Sequence, residues 1–198
     1  MVKICNRSGF KRALCELSHK EFKAALLQMR QLWEDHVVYT RLAVEETITE
    51  SPLAGATVQR LLRNQRDLGD NFALFYSTAN GDRYADILTR HIQAAVAVLT
   101  ALITGVGLEA AQQLALANAR EFAQFWVCVN PFADEEVIFH HMAEHLATLE
   151  ANMRAIIASD PEATVVTFDV YSLATREMVD YFVKVIREQR CKKCCNKN

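Results

Sequence analysis

The stretch FHHMAEHLATLE, Phe139 to Glu150, holds three of the chain's six histidines. His141, Glu144 and His145 spell H-x-x-E-H. On a helix this spacing sets two imidazoles one turn apart, where they can hold zinc while the glutamate between them serves as base. A third protein ligand would have to come from downstream, from Asp169, Glu177 or Asp180. A metal-dependent hydrolase using this motif is therefore one reading. Against it, only three positions are fixed, and no strand is legible that would hold a peptide. His140 and Glu144, four apart, can also pair on an outer face, which leaves His145 to face inward.

His145 has counterparts elsewhere. His36, His91 and Asn118 each interrupt a row of apolar residues on a different predicted helix, and each lies about halfway along it. A buried imidazole needs partners for its ring nitrogens, so such interruptions have a cost that something must offset. Antiparallel helices of similar length would bring these residues to one level. Three histidines with Asp67, central on the second helix, would suit zinc, copper or another first-row divalent metal. Trp33, Arg41, Asn64, Asn118, Glu144 and Asp180 are candidates for lining a small-ligand site at the same level. The competing reading is a structural or interaction protein, in a virus a virion component. In that case the histidines serve as core hydrogen-bonding groups and no catalysis takes place.

The elements that would position these residues are helical almost throughout. Phe22, Leu26, Met29, Trp33, His36, Thr40 and Ala43 alternate four and three apart, one buried stripe over about 18–49. Ser18 and Glu21 form a capping-box start, and Pro52 ends the helix. A second helix over about 56–76 carries Leu61, Leu68, Phe72 and Phe75, with a polar row of Arg60, Asn64, Asp67 and Asn71 beside it. The Asn80-Gly81 pair predicts a turn, so a third helix is expected over about 82–104. It ends at Gly105 and Gly107. A fourth is expected over about 108–129 and a fifth over about 135–158, with Asp134 as N-cap. A sixth follows over about 162–189, although the β-branched TVVTF segment predicts irregularity. The fold expected is all-α: a single-domain antiparallel bundle of about six helices with a four-helix core, and flexible ends at about 1–17 and 190–198.

Other chemistries find no support. Ferritin-like di-iron sites need two Glu-x-x-His motifs on separate helices, which the chain lacks. There is no G-x-S-x-G, phosphate loop or dinucleotide fingerprint. With 22 basic and 24 acidic residues and a net charge of −2, a nucleic-acid binder working by bulk charge is not expected. The longest apolar run, Ala94 to Leu108, is too short for a membrane span. No apolar leader is visible, so a cytoplasmic setting (or a virion) with reduced cysteines is expected. The partners expected are a small ligand or metal ion, with a homo-oligomer open. Cys128 reads as a core residue. Cys191 and Cys194 have C-x-x-C spacing and would complete a zinc site only if Cys5, Cys15 or His19 met them.

The segments LWEDHVVYTRLAVE, LLRNQRDLGDNFALFY, VNPFADEE and EHLATLE, in this order and spacing, resemble a family of small helical proteins of Bacillus-type bacteria and large DNA viruses. The resemblance runs from about Leu32 to Phe182. Some members carry the label acetylglutamate kinase, which nothing in this sequence supports. The resemblance points to Trp33, His36, Thr40, Arg41, Asn64, Asp67, Gly69, His91, Asn130, Pro131, Glu144 and His145, and to Asp169 and Asp180. It implies no histidine at position 141, which weakens the hydrolase reading and leaves His36, His91 and His145.

Overall fold

The computed structural model describes residues 15–194. Among them are six α-helices and no strand: α1 (His19–Ile48), α2 (Ala54–Phe75), α3 (Thr78–Thr104), α4 (Leu108–Val129), α5 (Glu135–Ile157) and α6 (Pro161–Cys194). The starts follow local chemistry. The Ser18 hydroxyl accepts from Glu21 N (3.2 Å) while the Glu21 carboxylate accepts from Ser18 N (2.8 Å), the reciprocal capping box. Asp134 accepts from the backbone of Glu136 and Val137. Pro161 opens α6, where its missing N–H is not needed. Gly105 and Gly107 reverse the chain between α3 and α4 at φ of 73° and 77°, a region open to glycine.

Three local expectations are corrected. The Asn80-Gly81 pair is no turn: Ser77 caps α3, and both residues lie in its first turn. TVVTF is regular helix, because α6 runs unbroken across it. The last helix also runs to Cys194, past its expected end at about 189. Arg190 donates to Leu17 O (2.7 Å) and Gln189 donates to Val129 O (3.2 Å). These bonds gather the start of α1, the end of α4 and the end of α6 at one end of the bundle. Cys15 and Cys128, which lie in this region, are disulfide-bonded, against the expectation of reduced thiols, and Cys191 is free and exposed. Cys5 and Cys195 lie outside the described residues.

The connections at 49–53, 76–77, 105–107, 130–134 and 158–160 are short, so successive helices run antiparallel. Each helix packs on its neighbour in the chain, α6 returns to α1, and α5 also touches α1 and α3 across the middle. All six helices contribute to the interior. Toward the end where α1 begins and Gln189 and Arg190 of α6 lie, the core is aromatic. Phe72 stacks between Tyr76 (4.4 Å) and Tyr84 (4.2 Å), and Trp126 stacks on Phe182 (4.5 Å). Toward the other end it is aliphatic and alanine-rich, built from Val37, Val44, Ala95, Val98, Leu99, Ala115, Leu149 and Met153. Between the two halves lies one polar level.

Candidate metal centre at the polar level

One polar side chain from the middle of every helix occupies this level: His36, Gln65, His91, Asn118, His145 and Thr175, all buried. The three odd-numbered helices run parallel to one another and supply the imidazoles. The three even-numbered helices supply an amide, an amide and a hydroxyl. The histidines meet. Ring centroids lie 5.9 Å apart for His36 and His91, 5.5 Å for His36 and His145, and 5.4 Å for His91 and His145. One ring nitrogen of each lies within 4.8 Å of the others. Relative exposures of 0 %, 1 % and 0 % put all three out of reach of bulk water.

Each imidazole is backed by the following helix. Thr175 Oγ1 donates its single hydrogen to Tyr171 O (2.9 Å) and lies 2.8 Å from His145 Nδ1. With that hydrogen on the Tyr171 carbonyl, the hydroxyl accepts from Nδ1–H of His145, the tautomer whose lone pair is on Nε2. Gln65 Nε2 reaches His36 Nδ1 at 3.4 Å, while also donating to Leu61 O (2.8 Å). Asn118 donates to Ile87 O (3.1 Å) and stands beside His91, close enough to favour its protonated form. Trp33 makes T-shaped contacts with His36 (5.1 Å) and His145 (6.3 Å), and the Tyr171 ring lies 5.0 Å from His145. His36 Nε2, His145 Nε2 and both nitrogens of His91 have no hydrogen-bond partner among the described residues.

Burial is the main influence on the titration of the trio. It pushes His36 down to about 3, with His91 contributing, and His91 down to about 4 against the opposing effect of Asn118. His145 lies well below its ordinary value from burial first and then from His91 and His36. Removing an imidazolium from water disfavours the charged form, so all three are neutral near pH 7 and offer lone pairs.

The other candidates are dispersed. Asp67 does not join the histidines. Its side chain is 38 % exposed and faces Arg60 (3.7 Å), because a carboxylate on the flank of α2 stays with water and a cation. Asn64 donates to Leu32 O (2.9 Å) and ties α2 to α1. Arg41 pairs with Glu45 (3.6 Å) and lies over the Phe168 ring. Asp180 is at the surface with Arg30. Glu144 is exposed, and His141 lies against the Tyr181 ring (5.8 Å), so H-x-x-E-H is split between faces of α5. Gln65 and Thr175, not expected as site residues, complete the level. No family of proteins, curated protein or solved structure matches the chain. By length and composition α3 alone, among the described residues, could cross a membrane, and half of its apolar window is packed inside.

Proposed function

We propose that this chain is a helical-bundle metal-binding protein. His36, His91 and His145 hold a first-row divalent ion, and Gln65, Asn118 and Thr175 orient the rings. The observation that carries this reading is the convergence of three buried imidazoles from three helices, with four ring nitrogens lacking a hydrogen-bond partner among the described residues. Unpartnered buried nitrogens are costly in a protein that has no use for them. Neutral imidazole suits zinc, copper, nickel and iron, and bundle interiors are regular homes for such ions. The Thr175 contact already sets His145 with Nε2 free to ligate, as hydrogen bonds behind metal ligands do. For His36, Gln65 Nε2 stands 3.4 Å from Nδ1 and is held there by its bond to Leu61 O.

The test is elemental analysis of untagged chain beside a His36→Ala/His91→Ala variant. Melting curves are then recorded with Zn²⁺, Cu²⁺, Ni²⁺ and Fe²⁺. We expect about one ion per wild-type chain and none in the variant. An ion present at a hundred times its Kd adds about 2.7 kcal/mol of stability. Wild-type protein without stoichiometric metal, and indifferent to all four ions, would remove the metal reading.

The second reading, a structural protein without catalysis, is favoured by one observation: among the described residues no carboxylate joins the trio. A wholly neutral polar level is compatible with a hydrogen-bonded layer that specifies the fold. Under that reading each His→Ala change lowers stability and metal ions change nothing.

A further inference from the structure

We propose that a small exogenous anion completes the coordination of the ion at His36, His91 and His145, reaching it through the groove between α1 and α6. This inference rests on the metal reading above and concerns what else the ion binds. Three imidazoles carry no charge, so a divalent ion among them brings two positive charges into an interior where its ligands are almost wholly buried. Buried charge persists only when it is paired. Among the described residues, no carboxylate or thiolate stands within the ligating group. The acids flanking His36 are engaged elsewhere: Glu34 is exposed beside Arg176 (3.8 Å), and Asp35 faces Arg60 (3.5 Å). The described residues therefore supply no compensating negative ligand, and an exogenous anion would provide one. Three protein nitrogens with an exchangeable fourth position is also the pattern of zinc sites that act on small molecules rather than merely hold a fold.

The α1/α6 groove, about 300 Å³, suits the entry of an anion. Trp33 and Thr175 line it, and these two side chains also touch the histidine rings. Groove and centre are therefore separated by one layer of side chains. Arg30, Arg176, Glu34 and Asp180 all line the groove as two cation–carboxylate pairs, so the arginines can meet an anion only when those pairs open. Such exposed ion pairs are weak and open readily. Ser172 adds a hydroxyl to the wall. The groove formed by α3, α4 and α5 is more apolar: Gln112 and Glu150 are its polar lining, and it includes neither Trp33 nor Thr175.

The experiment loads the full chain with Cu²⁺ and titrates azide, following the azide-to-copper charge-transfer band. Ser172→Trp and Val38→Trp each fill the groove from a different helix. Copper content and far-UV circular dichroism show whether each variant is folded and loaded. We expect a saturable band in the wild type. In each variant we expect unchanged copper content and an azide affinity lower by about tenfold or more. Copper-loaded wild type without an azide band would overturn the anion inference and leave the metal reading intact. Wild-type azide affinity in loaded variants would overturn the groove as the route. A wild-type chain that takes up no copper would overturn the metal reading and this inference together.

Discussion

The hydroxyl of Thr175 stands 2.8 Å from His145 Nδ1, and in the proposed centre its role is to leave Nε2 for the ion. Thr175→Val keeps the shape of the side chain and removes the acceptor. It leaves a buried N–H unpaired, which costs about 1–3 kcal/mol in the metal-free protein. If the orienting role is correct, metal affinity falls about 10–100-fold, measured by competition with a chromophoric chelator. Unchanged affinity would reduce Thr175 to a packing residue. The three histidines were legible in sequence because each breaks a four-three apolar row halfway along its helix. Gln65 and Thr175 occupy equivalent places, in Leu61-Gln65-Leu68-Phe72 and Tyr171-Thr175-Met178-Phe182, all buried. They escaped notice for different reasons. Threonine can satisfy its hydroxyl on the carbonyl four residues back, so it does not read as a polar break. The preference for an acid in a metal site drew attention to Asp67, whose carboxylate finds Arg60 and water instead.

At the scale of elements, α2 and α3 approach closely enough to need glycine on both sides. A Cβ on Gly69 would stand 2.6 Å from Gly81 O and 2.7 Å from the Ala85 Cβ, and one on Gly81 would meet the Gly69 carbonyl and, at 2.7 Å, the Ala73 Cβ. Gly69→Ala should therefore destabilise by about 1–3 kcal/mol through overpacking. Gly55→Ala, with nothing within 4 Å, should be neutral or stabilising by up to about 1 kcal/mol, since alanine is the better helix former. Urea midpoints for the two variants check this pair, and equal effects would mean that the close approach carries no weight. The same contact explains why the start of α3 was misread. Asn-Gly is a strong local turn signal, but here the glycine is needed for helix packing and Ser77 supplies the cap. Helix ends set by side-chain caps or glycine reversals, such as Ser18, Asp134 and Gly105, were readable from sequence. An end decided by contact with a distant helix was not.

For the molecule as a whole, the buried trio predicts sensitivity to acid. The folded state holds His36 and His91 neutral down to about 3 and about 4, whereas the unfolded chain protonates them near 6.5. Below 6.5 the unfolded state binds more protons, so stability falls as pH falls, by about 1.4 kcal/mol per unit for each such histidine. This contribution is fully present above pH 6.5 and is lost toward pH 4. Chelator-treated protein should unfold across that window, followed by circular dichroism, and His91→Leu should give a shallower dependence. A pH profile identical in the variant would contradict the assignment. The polar level has another consequence, independent of any ion. It lies between an aromatic half and an aliphatic half, and every helix crosses it once. A slip of one helical turn, about 5.4 Å along the axis, would drive an imidazole, amide or hydroxyl into hydrocarbon and bring an apolar side chain to face the remaining five. Oily residues alone leave such sliding cheap. The six central side chains act as an alignment key that permits one vertical setting of all six rods.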